Sequence, residues 1–162
     1  MMLTRHHGGF IILLSFAVAL LLSIMPLPDA LRPYRPDWVG LVLIFWCLAL
    51  PDRVGVISGW LVGLLLDALT GTLLGQHALS LCVIAYLCSR LHQQIRVFPL
   101  WQQALSVLIF LLIHQLLVLW INSITGRPGP GPSYWLPSLI GALLWPLLYS
   151  LLDGLRRGFA VR

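Results

Sequence analysis

The stretch WQQALSVLIFLLIHQLLVLWI, residues 101–121, decides the fold class of this chain. It contains no Asp, Glu, Lys or Arg, and as a helix rising 1.5 Å per residue it covers about 30 Å. The hydrocarbon core of a bilayer has about the same thickness. Runs within it such as LLVLW do not alternate between apolar and polar residues, as a membrane β-barrel strand does. The stretch therefore predicts a transmembrane helix.

The composition of the rest of the chain agrees with this prediction. Of the 162 residues, 59% are hydrophobic and only 9% are charged, and the mean hydropathy is +0.94. Soluble domains carry about 25% charged residues, so water is not the solvent for most of this surface. We expect a single integral membrane domain over residues 1–162.

Six apolar segments are separated by short connections, and they predict an all-α membrane protein with a bundle of six transmembrane helices. The predicted helices cover about residues 10–25, 38–50, 54–69, 78–91, 101–121 and 134–152. The second covers only about 20 Å, so five crossings is the competing count. The longest connection, NSITGRPGPGPS at residues 122–133, leaves no room for a soluble domain.

The arginines predict the orientation of the bundle. All ten basic residues are Arg, and the six-helix count places seven of them on one side and three on the other. The seven are Arg5, Arg53, Arg90, Arg96, Arg156, Arg157 and Arg162; the three are Arg32, Arg35 and Arg127. Cytoplasmic loops carry the excess of basic residues, so both termini are expected in the cytoplasm. Because these arginines punctuate apolar runs, the net charge of +5 does not indicate nucleic acid binding.

A series of small residues marks the third helix. Gly55, Gly59, Gly63 and Gly71 are spaced by four or eight residues, and Asp67 occupies the position between Gly63 and Gly71. Positions four apart lie on nearly the same face of a helix, and small residues let two membrane helices approach closely. The series predicts a helix-packing face, which either docks a partner's helix or packs within this chain.

Asp67 is the acid of the third helix, and it has two interpretations. It could bind Thr70, Thr72 or backbone N–H groups where the helix breaks, as Asp does in turns. It could instead form a buried ion pair, a proton site or a partner contact. His114 lies about as deep in the fifth helix as Asp67 does in the third, so a buried pair of Asp67 with His114 is one hypothesis.

Motifs of catalysis do not occur in the sequence. It contains no H-E-x-x-H, no Walker loop, no paired carboxylates and no Ser-His-Asp set with its supporting motifs. We therefore expect no enzyme activity, no cofactor and no metal site.

Four stretches together resemble the MreD family of bacterial rod shape-determining membrane proteins. They are MPLPDALRPYRPDWVGLVLIFWCLALPDRVGV, GWLVGLLLDALTGTLLGQHALS, LWQQAL and the end of the chain, GALLWPLL with RRGFAVR. The positions that carry the family pattern are Arg35, Pro36, Asp37, Pro51, Gly59, Gly63 and Asp67. The resemblance implies location in the bacterial inner membrane and a fold similar to the S-components of vitamin transporters.

The resemblance also implies a function and partners. Members of the family belong to the elongasome, the complex that synthesises lateral peptidoglycan and maintains cell shape. They bind MreC directly and through it connect to MreB, RodA and penicillin-binding protein 2. The first hypothesis is thus a non-catalytic membrane scaffold that binds MreC. The alternative is a small-molecule-binding or transport module of S-component type. A transporter lines its path with several polar groups, whereas here only Asp67, His114 and Gln115 stand out.

Overall fold

The computed structural model describes residues 5–26, 28, 30, 34–51, 54–71, 74–126 and 132–158 of the chain. In these residues all regular structure is helical, and the helices are numbered α1 to α6 in chain order. They are α1 Arg5–Ile24, α2 Trp38–Ala49, α3 Val56–Thr70, α4 Gln76–Arg96, α5 Leu100–Ile124 and α6 Leu136–Gly158, with a short 3-10 helix at Pro132–Trp135 before α6.

The prediction of six helices is confirmed, but three of them extend five or six residues beyond their apolar segments. α1 begins at Arg5 instead of Phe10. α4 continues to Arg96 instead of ending at Leu91, and α6 continues to Gly158 instead of ending at Leu152. Apolar runs stop at the first polar residues, whereas a helix continues as long as its backbone hydrogen bonds do. Arg, Gln and Leu are good helix formers, so these polar ends remain helical.

α2 is the central helix of the bundle. All ten residues from Val39 to Leu48 are buried, and the helix contacts α1, α4, α5 and α6. The indole N–H of Trp46 donates to the Ser15 hydroxyl of α1 at 2.8 Å. Because other helices surround α2, its length of 12 residues creates no mismatch with lipid. A helix that is hydrophobic on every side is buried, and α2 fits that rule.

Two arginines show which helix ends lie together: α2 starts where α1 ends, and α2 and α4 end at the same side of the bundle. Arg35, just before α2, donates to the carbonyls of Ser23 and Met25 at the end of α1. Arg96, at the end of α4, donates to the carbonyls of Leu48 and Ala49 at the end of α2. We call the end where α2, α4 and α6 finish the proximal end, and the end where α1, α3 and α5 finish the distal end. α1 therefore begins at the end where α6 finishes.

The outer surface of the bundle is apolar. Large hydrophobic side chains are exposed on five helices, among them Leu13 on α1, Ile57 on α3, Leu79 on α4, Ile109 on α5 and Leu143 on α6. Water-soluble monomers rarely expose so much contiguous apolar surface. By length and composition, α5 and α6 could each cross a membrane, while α2, α3 and the apolar part of α1 are apolar but shorter. Arg32, Arg53, Arg127 and Arg162, used above for orientation, lie outside the described residues.

Candidate functional site

Asp67 lies near the distal end of α3 and caps the start of α4. Its side chain is completely buried. Its carboxylate accepts hydrogen bonds from the backbone N–H groups of Gly75 at 2.9 Å, His77 at 3.0 Å and Ala78 at 3.3 Å. The first N–H groups of a helix have no partner within the helix, and they carry the positive end of its dipole. The buried acid therefore joins two consecutive helices.

The loop geometry allows this contact. α3 ends at Thr70 with Gly71 as its C-cap, and Gly75 is the N-cap of α4. Both glycines have positive φ, 73° and 100°. Only glycine adopts these angles at little cost, so the chain turns back sharply and α4 starts beside Asp67. Among the bonds proposed for Asp67, those to backbone N–H groups form. The hydroxyl of Thr70 donates to the Leu66 carbonyl at 2.7 Å, and Thr72 lies outside the described residues.

A second aspartate caps α2 in the same way. The carboxylate of Asp37 accepts from the Gly40 N–H at 3.1 Å, which is the usual N-cap geometry. Its other oxygen lies 3.1 Å from Nε2 of His114 on α5. This contact ties the start of α2 to the middle of α5.

The two aspartates and two histidines form one cluster. Nδ1 of His77 lies 2.7 Å from the Asp67 carboxylate, and the rings of His77 and His114 lie 5.8 Å apart. Below, "the Asp–His cluster" means Asp37, His114, His77 and Asp67. It connects α2, α3, α4 and α5 near the distal end.

The hypothesis of a buried pair between Asp67 and His114 stays a prediction. The contacts of the described residues place the His77 ring against Asp67 and the Asp37 carboxylate against His114. The physical reason for the His77 contact is local. His77 lies in the first turn of α4, whose N–H groups Asp67 already holds, so its ring reaches the carboxylate.

Gly59 and Gly63 pack α3 against α4 of the same chain. A Cβ added at Gly63 would lie 2.3 Å from the Cα of Ala78, and one at Gly59 would lie 2.9 Å from the carbonyl oxygen of Leu81. A Cβ at Gly55 would meet nothing closer than 3.8 Å, and one at Gly71 would meet nothing within 4 Å. The middle of the glycine series is therefore occupied by α4, and no partner helix can enter there.

Gln115 holds the start of α6 against α5. Its side-chain N–H donates to the Tyr134 carbonyl at 2.8 Å, and the Tyr134 hydroxyl donates to the Gln115 carbonyl at 2.8 Å. The Ser138 hydroxyl donates to the side-chain oxygen of Gln115. The three polar residues of the helix interiors that the sequence singled out, Asp67, His114 and Gln115, thus all make contacts between helices.

Comparison with known proteins identifies the family. The family described as rod shape-determining protein MreD matches residues 4–155. This chain belongs to the MreD family. A rod shape-determining protein MreD of Haemophilus influenzae is 32% identical over 148 residues, which cover 91% of each chain. No solved structure matches this member of the MreD family. The family recognised from the sequence is therefore confirmed.

Members of the MreD family are shape-determining membrane proteins. In this chain, the contacts of the Asp–His cluster are those of a structural connection between helices. Among the described residues no group of three or more His, Cys, Asp or Glu side chains could hold a metal ion. Both carboxylates of the Asp–His cluster accept backbone N–H bonds at helix starts. Ionisable residues inside membranes are rare, and they pair with one another or with backbone groups. The cluster thus joins four helices through its side chains and the starts of α2 and α4.

Sequence reasoning missed the structural use of the arginines in this MreD-family chain. Arg96 donates from Nε to the Leu48 carbonyl at 2.6 Å and from Nη2 to the Ala49 carbonyl at 2.8 Å. Arg35 does the same for the end of α1. The last carbonyls of a helix lack partners and attract cations. The sequence did not predict these bonds, because the carbonyls that the two arginines bind are 10 to 48 residues away in sequence.

Proposed function

We propose that this chain is a non-catalytic membrane scaffold of the rod-shape complex, with MreC as its direct partner. Through MreC it would connect to MreB, RodA and penicillin-binding protein 2 in lateral peptidoglycan synthesis. The observation that carries the proposal is that Asp67 accepts hydrogen bonds from the backbone N–H groups at the start of α4. The acid with the strongest claim to a transport or catalytic role is completely buried and bonded to the start of α4.

The partner's transmembrane helix docks, in this proposal, on the outer apolar surface. Gly59 and Gly63 are unavailable because α4 fills the space beside them. Exposed side chains such as Leu13, Leu105 and Leu143 remain available on the outside. Helix association in lipid depends on close packing and not on the hydrophobic effect, so an apolar outer face is sufficient for docking. The capture of MreC needs no group of the Asp–His cluster.

The orientation of the bundle in the inner membrane is part of the proposal. We propose six crossings with both termini in the cytoplasm. The proximal end, where α1 begins and α6 ends, carries Arg90, Arg96, Arg156 and Arg157. Basic residues concentrate on the cytoplasmic side. The Asp–His cluster then lies toward the periplasmic side of the bundle.

One experiment tests partner and orientation together. The full chain with an affinity tag after Arg162 is expressed with MreC in bacteria, and the tag is probed with protease before and after lysis of spheroplasts. We expect a tag that is cut only after lysis, and MreC at near-equal amounts in the detergent eluate. An unrelated single-span membrane protein is the control and should be absent. Loss of MreC together with recovery of a bound small molecule would favour the S-component alternative.

A further inference from the structure

A polar cavity of about 280 Å³ lies at the proximal end of the bundle, away from the Asp–His cluster. Residues at the ends of α2, α4 and α6 and at the start of α5 line it. Its polar wall consists of Arg96, Gln103, Tyr149, Asp153 and Arg156. Sites for drug-sized ligands measure about 300–1,000 Å³, so this cavity suits a small polar group. The Asp–His cluster, the glycine series and Gln115 do not line this cavity.

The guanidinium groups of Arg96 and Arg156 use only some of their N–H groups in the hydrogen bonds that the structure gives. Arg96 donates to α2 carbonyls through Nε and Nη2, and Arg156 donates to one oxygen of Asp153 through Nε at 3.2 Å and Nη2 at 2.9 Å. A guanidinium has five N–H groups, so each of these arginines, which line the cavity, has N–H groups beyond those in the bonds above. With Asp153 as the one acid of the wall, the wall carries one excess positive charge.

Gln103 lines the cavity, but its side chain is already bonded to other residues of the protein. We therefore do not expect it to bind a ligand. It is buried, with 4% of its surface exposed. Its side-chain N–H donates to the Ile95 carbonyl at 3.2 Å, and its oxygen accepts from the Trp145 indole at 3.3 Å. Arg156, in contrast, has a side chain that is 31% exposed, so the cavity reaches the surface beside it.

An apolar stripe on the outside of α6 leads to this opening. Leu143, Leu147, Leu151 and Leu155 follow one another at four-residue intervals and are 80%, 70%, 62% and 38% exposed. Side chains at this spacing lie along nearly one line of a helix. A lipid acyl chain lying along the stripe would bring its head group to the proximal end, next to Arg156.

We propose that the cavity binds the phosphate group of an anionic phospholipid, held by N–H groups of Arg156 and Arg96. Guanidinium and phosphate form strong bidentate, charge-assisted hydrogen bonds. Asp153 competes with the phosphate for Arg156, so binding requires Arg156 to turn from the carboxylate toward the cavity. The inference rests on the proposed embedding in the membrane, and anionic lipids in the cytoplasmic leaflet attract arginines in this position.

The test uses the purified full chain without MreC, so its outcome is independent of the capture experiment. The chain is placed in nanodiscs of mixed phosphatidylglycerol and phosphatidylcholine, extracted into detergent, and its retained lipids are measured by native mass spectrometry. We expect phosphatidylglycerol in preference to phosphatidylcholine. Arg156→Gln should reduce that retention by about tenfold, since it removes the charge that binds phosphate. Asp153→Asn should increase it, because the competing carboxylate is gone.

Arg157→Gln is the matched control. Arg157 also contacts Asp153, at 3.1 Å, but its side chain is 77% exposed and is not part of the cavity wall. We expect it to change retention by about twofold or less, as a general surface charge does. Equal losses in the two arginine variants would overturn the proposal in favour of diffuse attraction. Saturable binding of inorganic phosphate without retained phosphatidylglycerol would overturn the assignment to lipid.

Discussion

Replacement of Gly63 by Ala is expected to push α3 away from α4 and to prevent stable folding of the bundle. The new Cβ would lie 2.3 Å from the Cα of Ala78 and 2.6 Å from its N atom. These are backbone atoms, so no side-chain rotation can relieve the clash. Overpacking usually costs about 1–3 kcal/mol and sometimes more. Here the cost should exceed that range, since separation of the helices also pulls Asp67 away from the N–H groups of α4.

Gly55→Ala is the matched control for this prediction. Gly55 belongs to the same glycine series and is the N-cap residue directly before α3, but a Cβ there would meet nothing closer than 3.8 Å. Both variants are extracted in mild detergent and compared by size-exclusion chromatography before and after heating. We expect a normal peak for Gly55→Ala and aggregated or missing protein for Gly63→Ala. If the two variants gave equal chromatographic peaks before heating and equal peaks after heating, α3 and α4 would not be packed as described.

Replacement of Asp67 by Leu is expected to cause the second large loss of stability. The leucine cannot accept from the N–H groups of Gly75, His77 and Ala78, and it leaves the His77 ring without its carboxylate. Removal of one partner of a buried pair costs about 3–5 kcal/mol. Asp67→Asn keeps one acceptor oxygen and nearly the same shape, so we expect a loss of about 1–3 kcal/mol.

The measurement is the free energy of unfolding of the purified chain in detergent, titrated with SDS and followed by Trp fluorescence. Ser123→Leu serves as the control. It also replaces a polar residue near the distal end by Leu, but Ser123 is exposed and donates only within its own helix, to the Leu119 carbonyl. It should change the free energy by about 0.5 kcal/mol or less. A leucine at position 67 that is tolerated equally well would remove Asp67 from the account of the fold.

The number and order of helices could be predicted because each contains an apolar run that polar residues, Pro or Gly interrupt. The burial of α2 could not be predicted, although its length raised doubt about its crossing. An entirely apolar helix has the same sequence pattern whether lipid or protein surrounds it, because it has no polar face to show which side is exposed. Only the packing of α1, α4, α5 and α6 around it distinguishes the two cases.

The Asp–His cluster was predicted in part. Depth along the helices brought Asp67 near His114, and the turn after Asp67 suggested bonds to backbone N–H groups. His77 was missed, although it follows Asp67 by only ten residues, because the comparison of depths considered helix interiors and not the first turn of α4. Asp37 precedes an apolar run, which is the usual place of an N-cap. That signal could have identified its contact with Gly40, but not its contact with His114 on α5.

The glycine series could be interpreted from sequence only in part. Spacing alone predicts that another helix approaches closely at Gly59 and Gly63, but it does not say which helix. In the structure the neighbour is α4, which follows in sequence through a short turn at Gly71 and Gly75. Short connections place consecutive antiparallel helices side by side, and this favoured α4 over a partner's helix.

We propose that the buried polar groups hold helices together and take no part in chemistry or transport. The shape of cells that carry His114→Gln tests this proposal. Glutamine keeps an N–H donor for Asp37 but has no imidazole that could carry a proton. The variant is expressed, at matched membrane level and with MreC capture checked, in rod-shaped bacteria that lack their own MreD-family protein. The scaffold account predicts rods of normal width; round cells despite normal protein level and normal MreC capture would contradict it.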